Sequence, residues 1–211
     1  MGGFPDETLL DYTLSLVPGR RLLYVPTAGM EDTERTVSWY ERLRGRAEMT
    51  HLHFFPWPPS GLRDLVLAHD IVLVTGGNTA NALAVWRVHG FDEILREAWE
   101  RGVLLTGWSA GMICWFEHGV TDSFGPGLSP LECLGFLPGS ACPHYDGEEQ
   151  RRPVYTRLVM EGLPAGVAAD DDVGLHYVGT ELREAVTSRE GAAAYRVEAD
   201  GEHELDTRLL R

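Results

Sequence analysis

Lysine is absent from this sequence: all 18 basic residues are arginine. Without an ε-amine there is no Walker-A lysine, no Schiff-base lysine for pyridoxal phosphate, no Ser-Lys dyad and no kinase lysine. Positive charge is scarce as well, with 18 basic against 32 acidic residues and a formal net charge of −14. No arginine run exceeds two residues. Nucleic acid and anionic membrane each require a basic surface, so neither is expected as a partner. Cysteine is limited to Cys114, Cys133 and Cys142, with no C-x-x-C pair. That argues against a disulfide framework and against structural zinc. It points to a reducing, cytoplasmic setting with three buried thiols. Long apolar runs are missing too; none approaches the ~18 residues of a transmembrane helix. The opening stretch, Met1 to Glu7, has neither the basic nor the apolar region of a signal peptide.

What is present is an ordinary globular balance, 44% hydrophobic and 24% charged over 211 residues. One domain, residues 1–211, is expected. Strand and helix patterns alternate through the first half. Arg21–Val25, Thr50–Phe55, Asp70–Val74 and Val103–Thr106 read as strands. Glu31–Arg44, Leu62–His69, Ala80–Val88 and Phe91–Arg101 read as helices, the first with Val37, Tyr40 and Leu43 on one face. The stretch Met112–Glu117 also reads as helical. Beyond Gly119 the texture changes. A Gly-, Pro- and Ser-rich segment carries a weak strand signal near Cys133–Phe136, and Glu148–Glu161 reads as a helix. Short β-like runs follow at Gly166–Ala169, Val173–Val178, Leu182–Thr187 and Ala193–Val197. The fold class is α/β: a three-layer sandwich around a mostly parallel sheet, β-rich toward its C-terminal end. Ligands of such sheets bind at the carboxyl ends of the strands.

Two glycine-rich turns lie at such ends. Gly107-Trp108-Ser109-Ala110-Gly111 fits G-x-S-x-G and sits between a strand and a helix, the context of a nucleophile elbow. The turn exposes the Ser109 hydroxyl, and its glycines avoid collisions across the bend. The Ala110 N–H can then face an oxyanion. The plain alternative is a strand-to-helix turn with serine as its cap. Gly76-Gly77-Asn78-Thr79 offers a second set of backbone donors with no Cβ in the way, or else simply a capped βα turn. Serine needs a base. Of eight histidines, His144 alone lies in an irregular, turn-rich segment, Cys142-Pro143-His144-Tyr145-Asp146-Gly147. The acid that orients it could come from Asp170-Asp171-Asp172 or from Asp122. Three adjacent aspartates also suit an ordinary solvated turn.

Taken together, these motifs resemble the peptidase E family of serine peptidases, whose best-known members are aspartyl dipeptidases. The markers are the two glycine-rich turns, Thr121-Asp122-Ser123-Phe124-Gly125, Pro143-His144-Tyr145-Asp146, and the aspartates before Val173-Gly174-Leu175. The resemblance spans nearly the whole chain. It implies a fold like that of class I glutamine amidotransferases. It also implies Ser109 as nucleophile, His144 as base and Asp171 as third member, with Asp170 the next choice and Asp122 an auxiliary acid. Gly77 and Ala110 would form the oxyanion site, with Gly76, Asn78, Thr79 and Glu148 near the substrate. No metal or organic cofactor is implied, and the partner is a small peptide. The oligomeric state stays open, a homodimer included.

Three departures stand out. Family members open with a strand ahead of a Gly-rich stretch, whereas this chain opens at Gly2-Gly3-Phe4. That implies a sheet without this strand, or a start further upstream. The arginine that pairs an acidic substrate side chain in aspartyl dipeptidases aligns with Glu148, with Arg151 and Arg152 nearby. A carboxylate there would repel such a side chain. The segment between His144 and Arg151 is also short.

Other functional classes make different demands. An α/β-hydrolase esterase needs the order serine, acid, histidine: Ser109, an aspartate near 170, then His176 or His203. A binding or regulatory relative could keep the fold without the chemistry. A glutaminase would carry cysteine where this chain has Ser109.

Overall fold

The computed structural model describes residues 1–211. Its first half is built on four short strands: β1 (Arg21–Val25), β2 (Glu48–His51), β3 (Ile71–Val74) and β4 (Leu104–Gly107). All pair in parallel, in the order β2-β1-β3-β4. Side chains alternate across a strand, so each one feeds two cores. Leu22, Tyr24, Ile71 and Leu73 face one cluster, completed by Leu9, Leu10, Leu14 and Trp39. The latter come from helices α1 (Glu7–Ser15) and α2 (Thr33–Arg42). Leu23, Val25, Val72 and Val74 face the other cluster, with Val66, Leu83, Trp86, Phe91 and Leu95. Those come from α3 (Leu62–Leu67), α4 (Thr79–Val88) and α5 (Phe91–Glu100). The parallel sheet with helices on both faces is the α/β architecture expected. No helix is long and apolar enough to cross a membrane.

The face that α2 buries differs from the one read in the sequence. Val37 and Tyr40 are exposed, and Thr36, Trp39 and Leu43 are buried. The stripe 36-39-43 is equally helical in spacing, and Trp39 decides between the two. Its indole stacks on Trp108 at 5.3 Å and lies 5.6 Å from the ring of Tyr24, a larger apolar burial than Val37 could give.

The second half forms a six-stranded sheet and a three-stranded one. In the first, β5 (Phe116–Thr121), β7 (Leu137–Cys142) and β8 (Gly166–Ala169) run parallel. Antiparallel β6 (Ser129–Glu132) lies at one edge, and β11 (Ala194–Glu198) and β12 (Gly201–Leu205) at the other. In the second, β9 (Val173–Val178), β10 (Glu181–Thr187) and β13 (Thr207–Leu209) pair side by side. Helix α7 (Arg151–Met160) packs Tyr155 and Val159 against the larger sheet. The helix expected over Met112–Glu117 is only the single turn α6 (Ala110–Ile113), because β5 begins at Phe116. Cys133–Phe136 is not a strand. Arg87 and Arg96 take the carbonyls of Cys133, Leu134 and Gly135, so those groups serve no ladder. All three cysteines are buried and free, and burial pushes the Cys133 and Cys142 thiols up to about 12.

No strand continues the parallel sheet beyond β4. The first residues of the chain lie there instead. The Met1 ammonium donates to Gly107 O at 2.9 Å, and Ser109 N–H donates to Met1 O at 3.1 Å. On its other side, Gly2 N–H donates to Val173 O at 2.9 Å. Next to Met1 a slot of about 410 Å³ runs between β4 and β9, with walls that include Leu104, Trp115, Phe136, Leu175 and Tyr177.

Candidate active site

Strand β4 delivers the chain into the elbow, and the two flanking glycines are required by contact. A Cβ at Gly107 would lie 2.3 Å from Val74 O, and one at Gly111 would lie 2.2 Å from the same oxygen. Real Cβ atoms do not approach so closely. Between them Ser109 adopts φ 54° and ψ −110°, a sparsely populated conformation for a residue with a side chain. Helix α6 follows at once. The Ala110 N–H heads that helix and donates to no protein acceptor.

The Gly76-Gly77 turn packs directly against the elbow. A Cβ at Gly76 would lie 3.2 Å from Ser109 Cβ. Gly77 has φ 137°, and a Cβ there would lie 2.0 Å from Ala28 O. Its N–H has no protein acceptor either. The turn is braced from both sides. Asn78 N–H donates to Ala28 O at 2.8 Å. The Asn78 side chain accepts from Asn81 N–H and donates to Ser123 O, both at 2.9 Å. Asn78 is thus the cap of α4, and Thr79 is buried in the first turn of that helix.

His144 follows β7 and Asp171 follows β8, and these neighbouring parallel strands bring the two side chains together at their carboxyl ends. His144 Nδ1 lies 2.7 Å from Asp171 Oδ1. A carboxylate only accepts, so Nδ1 carries the proton and Nε2 is left as an acceptor. His144 has φ 53°, again in the left-handed region. The Asp171 carboxylate fits between two glycines. A Cβ at Gly3 would lie 2.2 Å from Oδ1, and one at Gly147 would lie 2.1 Å from Oδ2. Behind it, Asp146 Oδ1 accepts the Asp171 N–H at 2.8 Å. Arg189 ties the loop together, donating to Asp146 Oδ2 at 2.5 Å, Asp171 O at 3.0 Å and Asp172 Oδ2 at 2.9 Å. Burial acts to raise the Asp146 pKa, but the Asp171 N–H and the Arg189 guanidinium outweigh it and hold the carboxyl below its usual range.

The chain's first residues connect the two halves of the site. Met1 O holds the Ser109 N–H, and Gly3 packs on the Asp171 carboxylate. Two residue steps span at most ~7 Å, so nucleophile and acid loop are close neighbours. No hydrogen bond joins Ser109 to His144. Unliganded catalytic sites commonly show long nucleophile–base contacts that tighten with substrate.

The remaining acids lie elsewhere. Asp122 is exposed and its carboxylate makes no hydrogen bond. Asp170 is buried and accepts the Ala193 N–H at 3.0 Å; burial pushes its pKa up. Asp172 pairs with Arg189. Glu148 pairs with Arg151 Nε at 2.7 Å, and that guanidinium also holds Val120 O at 2.9 Å. His176 meets Tyr12 at 2.9 Å, and His203 is exposed on β12 near Asp200. Neither is paired with the 170–172 loop.

Sequence reasoning assigned no role to Arg189, Asp146, Gly3 or Gly147. Asp146 and Gly147 lie within the turn-rich histidine segment, the signal that could have found them. Arg189 and Gly3 act through partners distant in the chain.

Residues 4–185 match the model of peptidase family S51. The chain is 45% identical over 212 residues to the uncharacterized peptidase YgaJ of Bacillus subtilis (strain 168), across 97% of this chain and 91% of that protein. It is 28% identical over 190 residues to Peptidase E of Citrobacter koseri, across 77% and 80% of the two chains. Among solved structures, a peptidase from an acI-B1 actinobacterium superposes with a TM-score of 0.70 at 17% identity, across 97% and 92% of the two chains. A putative peptidase E from Listeria monocytogenes superposes with a TM-score of 0.61 at 16% identity, across 97% and 95%.

Proposed function

The chain belongs to peptidase family S51, and we propose that it is a serine peptidase acting on short peptides through Ser109, His144 and Asp171. The observation that carries this reading is the Nδ1–Oδ1 contact of 2.7 Å between His144 and Asp171, beside a serine held at φ 54°.

In the proposed reaction His144 Nε2 takes the Ser109 hydroxyl proton as Oγ attacks the scissile carbonyl. Asp171 keeps the imidazole in the required tautomer and stabilises it once charged. The tetrahedral oxyanion is met by the Ala110 and Gly77 N–H groups, donors with no competing protein acceptor. The intermediate collapses, the C–N bond breaks, and His144 returns its proton to the leaving amine. Water repeats the sequence on the acyl-enzyme. No step draws on a metal or an organic cofactor.

The test is hydrolysis of a dipeptide panel, Asp-Xaa and neutral pairs, by wild type and Ser109→Ala, with fluorophosphonate labelling of both. Turnover and labelling in wild type alone are expected, with at least ~10³-fold loss in the variant. Turnover that survives in the variant would remove Ser109 from the mechanism.

A further inference from the structure

We propose that Arg35 is a specificity-determining residue that binds a carboxylate of the substrate peptide on the Gly29–Gly76 side of Ser109. The inference rests on the peptidase reading and adds a residue and a ligand chemistry to it.

The other arginines around the site are engaged. Arg151 is held by Glu148 and Val120 O, and Arg189 by Asp146, Asp171 O and Asp172. Arg42, on the same helix as Arg35, is held by Glu7 and Pro5 O. The Arg35 guanidinium has no acidic partner and no hydrogen bond, and the residue is exposed. The nearby acids are themselves occupied. Asp32 caps α2 through the Arg35 N–H, and Glu31 accepts from the N–H groups of Phe54 and Phe55.

Its position is set by the oxyanion turn. A Cβ at Gly29 would lie 3.9 Å from Arg35 Nη1, 3.3 Å from Gly76 O and 3.2 Å from Thr75 Oγ1. Gly76 in turn borders Ser109. Two glycines, Gly29 and Gly76, therefore lie between Arg35 and the nucleophile, and the guanidinium stands on the same wall as the oxyanion turn.

Two further donors on this wall lack acceptors. Thr75 Oγ1 is buried without a partner, in a residue only 2% exposed. The Trp108 indole N–H makes no hydrogen bond, and its Nε1 would lie 2.8 Å from a Cβ at Gly76. A guanidinium, an indole N–H and a hydroxyl without acceptors suit an anion. In a peptide substrate that anion is a carboxylate, which an arginine binds with charge-assisted and often bidentate hydrogen bonds. Trp39, one turn along α2 from Arg35, stacks on Trp108 and fixes this wall against the elbow.

A short peptide carries a carboxylate at its C-terminus or on an acidic side chain, and the test separates the two. Steady-state constants are measured for dipeptides against their C-terminal amides, and for Asp-Xaa against Asn-Xaa, with wild type, Arg35→Gln and Arg35→Lys. Wild type should favour the carboxylate member of one pair through a KM about ten- to a hundredfold lower. Arg35→Gln should erase that preference with kcat changed less than about threefold, and Arg35→Lys should restore part of it. The wild-type KM for the favoured member should rise with salt, and the Gln variant's should not. The pair that responds names the source of the carboxylate. Turnover with the same preference in Arg35→Gln, or with no preference in wild type, overturns this role and leaves the peptidase reading standing. Absence of turnover and of Ser109 labelling in wild type overturns both.

Discussion

The Asp171 carboxylate meets His144 through one oxygen and the backbone of Gly147 through the other. Oδ1 lies 2.7 Å from His144 Nδ1, and Oδ2 lies where a Gly147 Cβ would be, at 2.1 Å. The acid is thus aimed by backbone contact as well as by its hydrogen bonds. This explains why a carboxylate on an exposed loop can hold one orientation.

Asp171→Asn should lower kcat by roughly 10³–10⁴-fold, because the amide no longer enforces the tautomer that leaves Nε2 free. Asp122→Asn should stay within about threefold of wild type. Kinetics on any peptide the wild type turns over will separate the two acids. A collapse in Asp122→Asn with Asp171→Asn intact would reassign the third member.

Gly147→Ala forces either the helix-leading loop or the Asp171 carboxylate to move. We expect at least a tenfold fall in kcat and a stability loss of about 1–3 kcal/mol. Gly127→Ala is the control, since a Cβ there meets nothing within 4 Å. Equal behaviour of the two variants would show that the glycine contact does not aim the acid.

Stability should climb as the pH rises through the ordinary histidine range, from about 5.5 to about 7. Burial first, and then the neighbouring His53 ring, hold the His51 pKa below its ordinary 6.5. Through that range the unfolded chain holds more of this proton than the folded chain does. The unfolded state therefore binds more protons, and stability rises with pH. Urea midpoints at about pH 5.5 and about pH 7.5, with unchanged m, will report the rise. A level or falling midpoint would contradict it.

The parts of the site legible in the sequence are those whose backbone demands a residue type. Gly107 and Gly111 mark the elbow because any side chain there meets Val74 O, and Gly76-Gly77 marks a turn pressed against its neighbours. The buried strand β3 is legible as a continuous apolar run, covered on both faces; β4 reads the same way but is half-buried, because one side of it borders the slot beside Met1. The face of α2 was not, since two helical stripes compete and a stacking partner 69 residues away, Trp108, settles the choice. Arg189 was not legible either. Its partners lie 17 to 43 residues back in the chain, and nothing local in its turn announces them. Arg35 looked like any other exposed helix arginine. Its distinction is a lack of partners, visible only once every other cation near the site is paired.

The path of residues 1–3 bears on how the site would come apart. Met1 and Gly2 are stitched to Gly107, Ser109 and Val173, with an apolar slot beside them. Drawing residues 1–3 out from between β4 and β9 would release the Ser109 backbone and the Asp171 carboxylate together. The elbow and the acid loop should therefore lose order as one cooperative unit rather than one after the other.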